Sequence, residues 1–239
     1  MEEQIAGGID ISSPEIQQLI GQFMEAQSEH EKKDKLERFR RLNQDVRPGQ
    51  ILFAGSSLME QFPIYELMLD RQLPFTIYNR GIGGFTAPEL LDAMDVCVYD
   101  LKPAHIFINI GTNDMNDQDY DREILMGRYE AILQGIREHL PEADVWLLAY
   151  YPVNPAAGSK VFYVDYLLKY RTNQRIAEAN EGVRALAEKM GMHYLDLNAG
   201  LTDENGNLKA EYTVEGIHMY VDGYRVVLDN LLPVLETLA

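Results

Sequence analysis

The chain has 239 residues, 46% hydrophobic and 25% charged, the size and balance of one globular domain with a substantial core. A net charge of −17 argues against a nucleic-acid partner, which needs clustered Lys and Arg, and against standing attachment to anionic lipid. A single cysteine, Cys97, allows no intramolecular disulfide and reads as a small core residue in a helix.

The amino terminus, MEEQIAGGIDISS, lacks the charged start and apolar stretch of a signal peptide, and no apolar run approaches membrane-spanning length. The expected location is therefore cytoplasmic. Ser12, Pro14 and Glu15 supply a cap, a first-turn proline and a capping-box acid ahead of Ile16, Leu19, Ile20 and Phe23, which predicts a helix. It runs on into EHEKKDKLERFRRLNQ, with apolar positions at Leu36, Phe39 and Leu42. Residues 1–48 thus read as an amphipathic arm laid over a main domain of residues 49–239. A homodimer contact is a further use open to that arm.

From residue 50 the pattern alternates between short apolar runs and helical segments. Strands are expected at Ile51–Ala54, Phe75–Tyr78, His105–Ile110, Val145–Ala149 and His193–Leu197. Helices are expected near 58–70, 86–98, 121–140, 162–190 and 223–237. This rhythm marks βαβ units and predicts an α/β fold, a flavodoxin-like three-layer α/β/α sandwich around a parallel sheet of about five strands.

Chemistry-bearing residues fall where these strands end. Ser57 stands at a strand-to-helix junction, at the sheet edge where α/β proteins bind ligands; its plain alternative is a capping box with Glu60. NRGIGGFTAPELL follows the second strand. Its Gly81, Gly83 and Gly84 allow tight backbone, serving either as a simple turn or as a cradle for an anion, although GxGxxG spacing and a P-loop Lys are both missing. Asn113, after the third strand, can donate to an oxyanion or form an Asx-turn with Asp114. His218 precedes the last helix, and Glu215 stands three residues earlier, spaced to hold its imidazole. His30, His105, His139 and His193 show no zinc-ligand spacing, so no metal is expected. Phe85, Tyr150, Tyr151, Phe162 and Tyr163 are candidates to line a cleft.

In this order FAGSSL, GIGGFT, GTND and EGIHMYVDGY resemble the four blocks of the SGNH hydrolases, the GDSL esterase and lipase family, over residues 50–228. The first two blocks also resemble its platelet-activating-factor acetylhydrolase-like branch. The resemblance implies Ser57 as nucleophile, with Ser56 in the usual Asp position. It further implies Gly84 N–H and the Asn113 side chain as oxyanion donors and His218 as base. Glu215 replaces the usual Asp of the triad, and Phe85 stands where Asp is common in the second block.

The expected function is that of a serine esterase needing no cofactor, acting on acetyl or other short-chain esters of a small soluble molecule. Alternatives are a lysophospholipase or thioesterase with longer acyl chains, a flavodoxin-like binder of nucleotide or flavin, and a homologue that binds without turnover.

Overall fold

A computed structural model describes residues 13–157 and 162–238. Five strands, β1 (Ile51–Gly55), β2 (Ile77–Gly81), β3 (His105–Asn109), β4 (Asp144–Leu148) and β5 (His193–Leu195), form one sheet in the order β2-β1-β3-β4-β5. Every pairing is parallel, so each connection crosses over the sheet and carries a helix. The strand order reverses between β1 and β3, which opens a crevice at their carboxyl ends.

Both faces of the sheet are covered, which is why β1 reads as an unbroken apolar run. Its alternate residues enter two different cores. Leu52 and Ala54 join Ile106, Ile108 and Leu147 beneath helices α4 (Ala87–Asp92), α5 (Met94–Cys97), α6 (Arg122–His139), α7 (Phe162–Tyr170) and α8 (Asn173–Met190). Ile51 and Phe53 join Phe107, Trp146 and Leu148 beneath α2 (Ser57–Glu60), α3 (Ile64–Asp70) and α9 (Val221–Leu235). The three-layer sandwich expected from the strand rhythm is the fold observed. Cys97 is fully buried, and burial pushes its thiol up to about 12.

Element boundaries differ from the expectation where tertiary contacts overrule local pattern. β2 starts at Ile77 and continues through Asn79, Arg80 and Gly81, polar positions that the apolar run does not reveal. Arg80 is nevertheless buried, donating to Asn43 Oδ1 at 2.9 and 3.1 Å with its guanidinium 4.7 Å from the Phe39 ring. The segment 58–70 is two helices, since Pro63 bars the residue before it from helical backbone. The segment 86–98 breaks at Ala93, and 162–190 breaks at Arg171 and Thr172, whose hydroxyl caps α8 by accepting from Arg175 N–H at 3.2 Å.

A helix α1 (Pro14–Leu42) precedes the sandwich and is about 43 Å long at 1.5 Å per residue. Ser13 caps it, accepting from Ile16 N–H at 3.3 Å; Ser12, the expected cap, lies outside the described residues. Ser28, Lys32, Lys35, Leu36 and Phe39 recur at helical spacing and form its seated face. Upstream of Ser28, Leu19, Ile20, Phe23 and Met24 are exposed. No helix among the described residues is long and apolar enough to cross a membrane.

Candidate active site

Ser57 is the first residue of α2, and the backbone around it is built to start a helix directly from a strand. Gly55 has φ +151°, and a Cβ there would lie 2.1 Å from Asn109 O, so no larger residue fits. Gly81, the last residue of β2, would place a Cβ 2.3 Å from Glu60 N, and this close approach lets α2 lie against β2. Ser56, not Ser57, is the N-cap, its carbonyl accepting from Met59 and Glu60 N–H at 3.1 and 2.9 Å. The Ser57–Glu60 capping box therefore does not form. The Ser57 hydroxyl instead meets His218 Nε2 at 2.9 Å, and the Glu60 carboxylate turns away to Gly83.

The His218 loop holds itself together over six residues. Thr213 Oγ1 donates to His218 O at 2.9 Å and accepts from Gly216 N–H at 2.8 Å, while Val214 N–H donates to His218 O at 2.9 Å. Gly216, at φ +104°, makes the turn possible. Glu215 is buried; its carboxylate accepts from His218 N–H at 3.3 Å and pairs with His218 Nδ1. A carboxylate at Nδ1 selects the tautomer with its proton there, leaving Nε2 as an acceptor for the serine hydroxyl. The longer Glu side chain is accommodated because the turn brings it back onto the histidine three residues ahead.

Asn113 lies in a short 3-10 turn, Thr112–Met115, directly after β3. Its Nδ2 donates to Phe85 O at 2.9 Å, and its Oδ1 accepts from Arg171 Nη2 at 2.7 Å. A guanidinium only donates, so the orientation of the amide is forced and Nδ2 must face the glycine loop. The second Nδ2 hydrogen remains for another acceptor. Asp114 ties the same turn to α4, accepting from Ala87 N–H at 2.9 Å and from Arg128 at 3.2 Å; burial nevertheless raises its carboxyl above the usual range. The Asx-turn reading of Asn113 is replaced by these tertiary contacts.

Gly84 has φ +78° and is exposed. Neither its N–H nor that of Ser57 donates to a protein acceptor among the described residues. The glycine loop lies close to the nucleophile candidate, since a Cβ on Gly83 would be 3.8 Å from Ser57 Cβ, and Asn113 Nδ2 reaches the carbonyl of Phe85 next to Gly84.

Three aromatic expectations are corrected. Phe85 is 2% exposed and packs with Ala87 and Leu90 in the core, so its ring does not border the crevice; its carbonyl is the part that touches the site. Tyr150 is 0% exposed, and its hydroxyl donates to Ile110 O at 2.7 Å beneath the Asn113 turn, where a Cβ at Gly111 would meet that hydroxyl at 2.4 Å. Tyr151 is 2% exposed in the opposite core. Both tyrosines follow β4 at the correct edge of the sheet but turn inward. The side chains of Phe162 and Tyr163 lie outside the described residues.

Sequence reasoning missed Arg171, Glu60 and Lys35. Arg171 is 3% exposed, and burial lowers its guanidinium to about 10 despite the nearby Glu215 charge. It donates to Asn113 and also to Asn116 Oδ1 at 3.0 and 2.8 Å, bracing the Asn113 amide from behind. Its sequence signal, a lone Arg before a helix cap, is indistinguishable from a surface residue. Among the described residues, no three His, Cys, Asp or Glu side chains converge to hold a metal ion.

A 2-1-3-4-5 parallel sheet with a hydrogen-bonded serine, histidine and carboxylate at its switch point is the architecture of a hydrolase of the α/β/α sandwich class. The chain belongs to the GDSL-like lipase/acylhydrolase family, whose profile matches residues 53–226. Among curated proteins it is 25% identical over 183 residues to platelet-activating factor acetylhydrolase IB subunit alpha2 of Homo sapiens, covering 76% of this chain and 73% of that one. To subunit alpha1 of Bos taurus it is 26% identical over 184 residues, covering 74% and 71%. A solved Streptococcus pneumoniae structure provisionally described as a platelet activating factor superposes with TM-score 0.81 and 31% identity, over 91% of this chain and 98% of that one. A GDSL-like lipase from Bacteroides thetaiotaomicron, at 20% identity and TM-score 0.69 over 85% and 98%, shares the fold.

Proposed function

We propose that this acylhydrolase is a serine esterase that cleaves acetyl or other short-chain carboxylic esters through Ser57, His218 and Glu215. The observation that carries the reading is the continuous chain from Glu215 through His218 Nδ1 and Nε2 to the Ser57 hydroxyl, with the last step at 2.9 Å. His218 takes the serine proton as Oγ attacks the ester carbonyl, and Glu215 stabilises the imidazolium that forms. Ser57 N–H, Gly84 N–H and Asn113 Nδ2–H receive the tetrahedral oxyanion. His218 then protonates the departing alcohol, and a water activated by the same base releases the acid. These steps need no cofactor.

The short acyl preference is supported by the acetylhydrolase name of the curated relatives at 25% and 26% identity. A longer-chain, lysophospholipase-like reading is favoured by one observation, the exposed apolar residues Leu19, Ile20, Phe23 and Met24 on α1 upstream of Ser28, which itself sits beside Gly84. The nucleotide-cradle alternative has little support, since Gly83 N–H is already engaged by Glu60.

The test is hydrolysis of p-nitrophenyl acetate, butyrate and octanoate by the wild type and Ser57→Ala, with mass spectrometry after a fluorophosphonate probe. The expected result is turnover that falls with chain length, is lost in Ser57→Ala, and accompanies a single adduct on Ser57. Octanoate as the best substrate would transfer the proposal to the longer-chain reading. Folded wild type without turnover or adduct would overturn both.

A further inference from the structure

The helix α1 reaches the oxyanion loop with its polar residues, not its apolar ones. Leu36 and Phe39 pack against the sandwich, but one and two turns earlier the seated face changes to Lys35, Lys32 and Ser28. A Cβ placed on Gly84 would lie 3.2 Å from Lys32 Cε and 3.8 Å from Ser28 Oγ, and one on Gly83 would lie 3.8 Å from both Lys35 Nζ and Ser57 Cβ. The arm and the nucleophile therefore approach the same pair of glycines from two sides.

Each lysine grips an acid that in turn holds one flank of the loop. Lys35 Nζ lies 2.7 Å from Glu60 Oε1 and 3.0 Å from Oε2, and Glu60 Oε2 accepts from Gly83 N–H at 2.6 Å. Lys32 Nζ lies 2.5 Å from Glu89 Oε1, while Glu89 Oε2 accepts from Thr86 N–H at 2.8 Å and Thr86 Oγ1 at 2.7 Å. Between these anchors the Gly83–Gly84 backbone has the conformational freedom of two consecutive glycines. Glu60 also belongs to the helix that begins with Ser57, so one carboxylate fixes the spacing between nucleophile and loop.

We propose that Lys35 and Glu60 are positioning residues for the oxyanion hole, with α1 acting through them to hold Gly84 N–H on the developing negative charge. The inference rests on the esterase reading above and extends it to the arm. Because the donors bind the oxyanion more strongly than the ground-state carbonyl, loosening them lowers kcat and leaves KM nearly unchanged.

The experiment measures kcat and KM for p-nitrophenyl acetate, and the rate of Ser57 labelling by fluorophosphonate, in the wild type, Lys35→Met, Glu60→Gln, their double variant and Glu60→Ala. Outright loss of an oxyanion donor costs about a hundred- to thousandfold, so loosening the loop through Glu60→Ala is expected to lower kcat by about tenfold. Glu60→Gln keeps an acceptor for Gly83 N–H and loses the lysine; it and Lys35→Met should each cost about threefold, with little added loss when combined because they break one interaction. Labelling should slow in parallel, since the phosphonyl oxygen occupies the same donors. Lowered thermal stability with unchanged kcat and labelling would make the arm merely structural and overturn the proposal. Lys35→Met, a change on a half-exposed helix face, gives this answer even if Glu60→Ala fails to fold. Active wild type with unaffected variants refutes the arm's role alone, whereas wild type lacking Ser57-dependent turnover removes the esterase reading and this inference with it.

Discussion

The two sides of the crevice are built by different means. The histidine side is one short loop, Thr213 to His218, closed by its own hydrogen bonds, with Glu215 only three residues from the imidazole it contacts. The other side, the proposed oxyanion hole, is assembled from distant parts: Asn113 is braced by Arg171 from 58 residues away, and Gly83 is held by Glu60 from 23 residues away. A local loop puts its chemistry within the reach of a short motif. An assembled one depends on how whole elements pack, and its supporting residues leave no local signature.

The sharpest way to break the comparison is within the local loop. Glu215→Gln keeps the shape but presents an amide that no longer favours the Nδ1–H tautomer; by the cost of the equivalent change in a serine protease triad, kcat should fall about 10⁴-fold. Glu215→Asp, restoring the family's usual residue on a turn that carries the longer chain, should fall between the two in a steady-state assay. On the assembled side, Asn113→Ala removes one donor and should cost about 2.7–4 kcal/mol in kcat, with circular dichroism and the thermal midpoint nearly unchanged. Unchanged turnover would remove Asn113 from the oxyanion hole.

Arg171→Met tests the brace behind that donor. It leaves Asn113 in place but frees its amide to rotate, and a displacement of this kind is expected to cost about tenfold in kcat, less than Asn113→Ala. If the two variants lose equally, the buried guanidinium acts on the charge directly rather than through the amide.

The smallest effect is in the seating of α1 as pH changes. Burial disfavours both charges of the Lys32–Glu89 pair, yet pairing with Glu89 and Glu29 leaves Lys32 above its ordinary 10.5. Pairing with Lys32 and the Thr86 bonds likewise leave Glu89 below its ordinary 4.5. The depressed acid contributes stability above pH 4.5 that is lost as pH falls through its folded value; the raised lysine contributes stability below pH 10.5 that is lost as pH rises through its own. Limited proteolysis of α1 should therefore be slowest between those limits. Equal cleavage across the whole range would show that the pair does not seat the arm.

Legibility in the sequence followed the same division. Strands β1, β3 and β4 are buried on both faces and stand out as apolar runs, while edge strand β2, expected at Phe75–Tyr78, runs on through Asn79 to Gly81 because Arg80 is buried against Phe39 and Asn43, residues whose position no local pattern discloses. Ser57, Gly84, Asn113, Glu215 and His218 could be picked out because each sits at a strand end or turn with the spacing of a short motif; in the folded chain Ser57, His218 and Glu215 are joined by hydrogen bonds, and Asn113 bonds the carbonyl next to Gly84. Tyr150 and Tyr151 are buried against expectation because position after a strand says which edge a residue occupies, not whether it faces outward. Asn180 Oδ1 accepts from Tyr150 N–H at 2.7 Å and Ile110 O receives the Tyr150 hydroxyl, contacts that draw this tyrosine inward from residues remote in the chain.

Cys97 gives the molecule a clock of its own. The thiol is sealed in α5 beside Val96, whose carbonyl receives the Asn43 side chain just past the end of α1, so a thiol reagent can enter only when this layer opens. On the proposed mechanism a fluorophosphonate reports on Ser57 in the closed protein, whereas the rate of cysteine modification counts openings. Used together on one sample, the two reagents separate a variant that has lost its chemistry from one that has lost its structure, with no label introduced.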